Sequence, residues 1–263
     1  MKTSDPDAPT QLEQDSTADA QRRLRDWLLL LLAAVAGYTD AISYVALGGV
    51  FAANMTGSTV LLGLGLAQAH ILFASRAATA LVGFLIGVAI GAVLTRRRTG
   101  SELWPRGVTL ALGVEVGVMA LFSTLGLILG TRDQYGVVYL LIALAACAMG
   151  VQSAAVRSLG IADVSTTYLT GTWVALMASL ARRLRAMVKA EIDPGSRPPL
   201  LPSTYPQKRD ASLLLIYIVA AVICGLLVTA GADIGTRVGL IPLAPALAVV
   251  VGIAARKFRT PES

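Results

Sequence analysis

Charge is scarce in this chain of 263 residues: Asp, Glu, Lys and Arg make up 14%, against about 25% in a soluble domain. That scarcity argues against a surface for nucleic acid. Histidine occurs once, at His70, so neither a multi-histidine metal centre nor a Ser-His-Asp triad can be assembled. The two cysteines, Cys147 and Cys224, both fall inside apolar runs, which does not fit a secreted disulfide framework. There is no GxxxxGK[ST] loop to use ATP and no GxGxxG following a strand. A membrane protease built on paired carboxylates needs two deep aspartates, and only Asp40 lies deep in an apolar run. The expectation is a protein that is not an enzyme and holds no cofactor or metal.

Apolar residues are abundant: 55% of the chain, with a mean hydropathy of +0.69. They fall into eight stretches, roughly 27–48, 51–69, 72–94, 108–130, 137–158, 164–181, 212–231 and 238–255. Most approach the ~20 residues a helix needs to cross a bilayer, and none shows the alternation of a membrane β-barrel strand. The fold class expected is therefore all-α, a polytopic inner-membrane bundle forming one membrane domain over 22–259. Residues 1–21 are polar and acidic, and are expected to be a disordered cytoplasmic tail rather than a signal peptide. Residues 182–210 combine Arg and Lys with several prolines and are expected to form a basic cytoplasmic loop.

The net charge of +6 is unevenly spread, because the first twenty residues carry −4 and the remainder +10. The basic excess lies in four clusters: Arg22/Arg23/Arg25, Arg96/Arg97/Arg98 with Arg106, Arg182/Arg183/Arg185 with Lys189, and Arg256/Lys257/Arg259. Keeping all four on the cytoplasmic side, with both termini, requires an even number of crossings between successive clusters. Three stretches separate the first cluster from the second, and three the second from the third. The economical solution makes 51–69 and 164–181 short segments that enter and return, leaving about six full spans. Eight spans are the alternative.

Those two short segments resemble each other. "TGSTVLLGLGLA" begins at Thr56 and "TGTWVALMASLA" at Thr170, while "GYTDAISYVALGG" from Gly37 parallels "GVQSAAVRSLGIAD" from Gly150. The chain thus reads as an internal duplication, repeat 1 at about 27–130 and repeat 2 at about 137–255, the second inverted in the membrane. Inverted repeats in transporters place a site near mid-membrane at the ends of broken helices. Candidate residues of a solute or ion pathway are Asp40, Asn54, Thr56, Gly57, Thr170 and Gly171, with Glu115 and Arg157 as charged groups inside or at the end of a span. Arg157 is a candidate partner for Asp40. Gly83, Gly87 and Gly91 form a small-residue stripe suited to helix packing, and Gly113 and Gly117 suggest the same around Glu115.

Residues Gly37–Gly63, "GYTDAISYVALGGVFAANMTGSTVLLG", resemble the signature of the YoaK family of bacterial integral membrane proteins, a family of unknown function. The matching positions are Gly37, Asp40, Phe51, Asn54, Met55, Thr56 and Gly57, with Ser58 where the family usually has Asn. The resemblance implies a bacterial cytoplasmic membrane protein of about six helices. It implies no substrate. A small secondary transporter or channel-like permease for a solute or ion is the first functional expectation, and a membrane scaffold or sensor binding a partner protein or lipid the second. Expected partners are the lipid bilayer and the solute, with association into a homo-oligomer left open.

Overall fold

The computed structural model describes residues 11–96, 104–129, 135–159, 169–192, 205–229 and 251–253. The described residues are helical with short connections, as hydrocarbon demands: without water, a backbone must satisfy its own N–H and C=O groups. Among the described residues, besides the helical residues 251–253, seven helices follow one another: α1 (Gln11–Ala46), α2 (Met55–Ala67), α3 (Ile71–Thr95), α4 (Arg106–Leu129), α5 (Tyr135–Ser158), α6 (Leu169–Ile192) and α7 (Tyr205–Thr229). Five of them, α1, α3, α4, α5 and α7, contain segments long and apolar enough to cross a membrane. The chain is a polytopic helical membrane bundle. The stretch 238–255, expected as a further span, lies outside the described residues apart from 251–253.

Two expected boundaries are corrected. Helix α1 begins at Gln11, so half of the segment expected to be disordered is helical. Extending a helix already nucleated by the span costs little, and "ADAQRRLR" is rich in good helix formers. Likewise α6 continues through Arg182–Ile192, where a loop was expected. "ARRLRAMVKAEI" contains no Gly or Pro, and Pro194 is the first residue that a helix interior would reject.

Helix α2 has 13 residues, about 20 Å, which is too short to cross a ~30 Å core as a helix. Its path follows from what it touches. Helix α1 ends in a turn at Gly48 and Gly49, with φ of +89° and +84°, and the Gly49 N–H bonds the Tyr44 carbonyl at 3.0 Å. Such φ values strain any residue with a Cβ. The chain then doubles back until Ala53 and Asn54 lie beside Asp40, and α2 starts there. Its far end turns at Gln68–His70 into α3, with Gly65 against Ala74. At the start of α3, Phe73 and Arg76 lie against Gly49 and Gly48. The α2–α3 turn is therefore on the same side as the end of α1, and α2 enters and leaves the layer on that one side. The Arg22–Arg25 start of the first span and the Arg96 end of α3 then share the opposite face.

Helix α3 packs on α5 through its glycines. A Cβ on Gly83 would sit 2.7 Å from the Ala143 carbonyl oxygen, one on Gly91 2.9 Å from that of Val151, and one on Gly87 would overlap the Cys147 carbonyl. Partner numbers rise together, so α3 and α5 run parallel, with α4 returning between them. Helix α1 packs on α7, α2 on α3, and α6 on α7. Gly113 and Gly117 are exposed, with no atom within 4 Å of an added Cβ. The second glycine pair does not pack α4, contrary to expectation; Glu115 and the buried face of Ala111, Leu112, Met119 and Phe122 do.

Two measurements check this arrangement. With Cys147 and Cys224 replaced by alanine, single cysteines at Arg23 and Arg96 are expected to react with a membrane-impermeant thiol reagent from one side of the membrane, and a cysteine at Gln68 from the other. Gly87→Ala is expected to lower stability by about 1–3 kcal/mol in detergent unfolding, while Gly117→Ala stays within ~0.5 kcal/mol of the parent.

Candidate functional site

A helix that breaks inside a bilayer exposes amides that water cannot satisfy, and the residues around the α1–α2 break meet that need. Asp40 is 4% exposed. Its Oδ1 accepts the Ala53 N–H at 2.6 Å and the Asn54 N–H at 3.2 Å, and its Oδ2 accepts the Tyr217 hydroxyl of α7 at 2.5 Å. A negative carboxylate at the N-terminal end of α2 is favourably placed against the helix dipole. No Lys or Arg is paired with it among the described residues. Asn54 caps α2 with Oδ1 on the Gly57 N–H at 3.2 Å. Ser58, fully buried, closes the segment from the other end: its Oγ donates to the Phe51 carbonyl at 2.8 Å and accepts the Phe51 N–H at 3.2 Å. The ring of Phe51 stacks on Tyr44, with centroids 5.2 Å apart.

Two glycines allow this assembly. A Cβ on Gly37 would overlap the Tyr217 carbonyl, and one on Gly57 would lie 2.8 Å from the Phe51 ring. Gly37 thus lets α7 approach closely enough for Tyr217 to reach Asp40, one turn further along α1. By helical rise, Asp40 lies about 22 Å beyond Arg25, and α2 carries the chain about 20 Å from there back out, so the site sits near mid-depth.

The other sequence candidates are distributed differently. Thr56 is exposed, and its neighbour Gly57 serves the cap. Thr170 and Gly171, at the start of α6, are exposed too, and α6 packs on α7 rather than beside Asp40. The start of the segment 164–181 lies outside the described residues. Arg157 is exposed in the last turn of α5, whereas Asp40 takes its hydrogen bonds from Ala53, Asn54 and Tyr217. Glu115 is completely buried on α4. Ser43, on the same face of α1 as Asp40, is buried while Tyr44 faces out.

Sequence reasoning missed three participants: Tyr217, Ser58 and Arg76. Tyr217 was visible as a single hydroxyl amid the aliphatic residues of "LLLIYIVAAV". Arg76 was visible as a cation inside an apolar run; it is half-buried, lies over Gly48, and its Nε is buried without a hydrogen-bond partner among the described residues.

The class so defined is a multi-pass helical membrane protein whose first span breaks and re-enters the layer on a buried carboxylate. The chain belongs to the family described as "Protein of unknown function (DUF1275)", whose model matches residues 28–255. It is also similar to the UPF0700 transmembrane protein YoaK of Bacillus subtilis (strain 168), with 41% identity over 160 residues, 61% of this chain and 69% of that protein. No solved structure matches.

The break depends on Asp40 for its hydrogen bonds. Asp40→Ala leaves buried amides and the Tyr217 hydroxyl without an acceptor and is expected to cost about 2–5 kcal/mol, against about 1–2 kcal/mol for Tyr217→Phe. The double variant is expected to lose less than the sum, as measured by a double-mutant cycle in detergent unfolding.

Proposed function

We propose that this protein is a small-solute permease of the cytoplasmic membrane, built from two inverted repeats, with its site at the α1–α2 break. Both termini are assigned to the cytoplasm in this reading, on the charge clusters. The observation that carries it is the re-entrant helix whose N-terminal end is held at mid-depth by the buried carboxyl group of Asp40, with no Lys or Arg paired to it among the described residues. Irregular backbone at membrane depth is tolerated where it lies within protein or lines a cavity, and broken helices of this kind form transporter sites.

The packing pattern supports the duplication. Exchanging α1 with α5 and α3 with α7 converts the α1–α7 contact into the α5–α3 contact, so one two-fold relation accounts for both. Gly37 of α1 lies under the Tyr217 carbonyl, and Gly150 of α5 lies under the Phe84 carbonyl. Setting Phe84 opposite Tyr217 aligns α3 with α7 without gaps. It pairs Arg76 with Arg209, Ala78 with Ala211, Leu81 with Leu214, Ile90 with Ile223 and Leu94 with Leu227. Gly37 and Gly150 are also the residues from which the two segments run parallel in sequence. The polar pair occurs once among the described residues: where Asp40 of repeat 1 faces Tyr217 of repeat 2, the equivalents are Ser153 of repeat 2 and Phe84 of repeat 1. The acid at the α1–α2 break suits a cationic or proton-coupled solute better than an anion.

Reconstitution into liposomes, with a panel of small ions and metabolites and a proton-sensitive dye, tests the reading. At least one solute is expected to produce flux above that of protein-free vesicles, with Asp40→Asn lowering it at least about tenfold, a loss of ~1.4 kcal/mol or more in transition-state stabilisation. Unchanged leakage for every solute, with Asp40→Asn behaving as the parent, would overturn it. Deleting residues 193–204 is expected to leave flux intact; a scaffold docking through the basic segment 182–210 would instead show no flux at all and would lose its partner on that deletion.

A further inference from the structure

We propose that Glu115 is the site at which this protein binds and releases a proton. The proposal deepens the permease reading by naming the ion that couples to it. Glu115 lies in the middle of α4, 0% exposed, and neither carboxyl oxygen has a hydrogen-bond partner among the described residues. The contrast with Asp40 is chemical. Asp40 receives three hydrogen bonds and can hold a negative charge at the break. Glu115 receives none, so in these surroundings the anion has nothing to stabilise it, and the group is carried as the neutral acid until water or another partner reaches it. A lone carboxyl that is neutral when closed in and ionises when opened to water is a proton carrier: the O–H bond breaks, the electron pair stays on the carboxylate, and the proton leaves to water.

The neighbours favour a proton over a metal cation. A hard cation needs several converging oxygen ligands, and among the described residues no group of three His, Cys, Asp or Glu side chains comes together. Among the described side chains, the titratable and charged groups on α5, on α3 and at the end of α3 are Tyr139, Cys147, Arg157, Arg76 and Arg96, and none of them is hydrogen-bonded to Glu115. On α5, the Tyr139 hydroxyl bonds Ser75 at 2.5 Å, Cys147 lies where α5 meets Gly87 of α3, and Arg157 is exposed. On α3, Arg76 lies over Gly48 and Arg96 is exposed. The buried face of α4 around Glu115 is made of Ala111, Leu112, Met119 and Phe122, with Ser123 two turns on, its hydroxyl also without a partner among the described residues.

Infrared difference spectroscopy of the full-length protein in lipid, recorded against pH, tests this without knowledge of the solute. A carboxylic C=O stretch is expected at low pH, lost at least about tenfold in intensity between about pH 5 and pH 10, absent in Glu115→Gln and equal in sodium and potassium buffers. Protein grown on carbon-13 glutamate separates a glutamate band from one of Asp40 by its isotope shift, and Glu115 is the one glutamate of five within an apolar stretch, so the assignment survives if the Gln variant fails to fold. A band that persists unchanged over that range would make Glu115 a fixed structural acid and overturn the proposal. So would no band at any pH, or one displaced by sodium. A titrating band in a protein that moves no solute in liposomes would keep the proton site and remove the permease reading instead.

Discussion

The structure turns on one requirement: amides released from a helix inside hydrocarbon must find an acceptor. Breaking the first span between Ala46 and Met55 frees backbone groups at a depth where each unsatisfied one costs several kcal/mol. A single side chain meets much of that demand. The carboxylate of Asp40, on the helix that has just ended, accepts from both Ala53 and Asn54, while Asn54 and Ser58 close the remainder with local bonds. The same carboxylate binds α7 through Tyr217. The broken segment, the first span and the last described span are thus joined at one atom group, and the position of α2 follows from it.

Around this polar centre the bundle is held by close backbone approach. Lipid is as apolar as the helices, so association rests on packing, and small residues supply it. Gly83, Gly87 and Gly91 bring the carbonyls of α5 onto α3, and Gly37 does the same for α7 on α1. Between these two pairs the contact is thinner. Gln152 of α5, fully buried, reaches across to donate to the Leu32 carbonyl of α1 at 3.1 Å. The polar bond crosses where the glycine contacts do not.

Much of this was legible because hydrophobic run length and charge position are linear features of a sequence. The spans α1, α3, α4, α5 and α7 match the apolar stretches closely, and the shortness of α2 follows from the arginine count before any contact is known. Asp40 and Asn54 were legible as polar residues in an apolar context. What they bond to was not, because Tyr217 is far from Asp40 in the chain and joins it only through the approach that Gly37 permits. Glycine spacing was ambiguous for the same reason: Gly83, Gly87 and Gly91 face a neighbour, and Gly113 and Gly117, with similar spacing, face outward. Composition misjudged Gln11–Gln21 and Arg182–Ile192, where polar sequence continues as helix because the adjoining apolar helix has already met the cost of nucleation.

The first helix is a single rod from Gln11 to Ala46, and Asp40 lies near its inner end. From Asp40 to Gln11 is about 44 Å at helical rise. Pivoted at the Asp40 junction, the rod is a mechanical lever: a tilt of about 10° at the break would sweep its outer end by roughly 8 Å. Any small rearrangement where the re-entrant segment is anchored would thereby be magnified at the far end of the helix, outside the hydrocarbon layer.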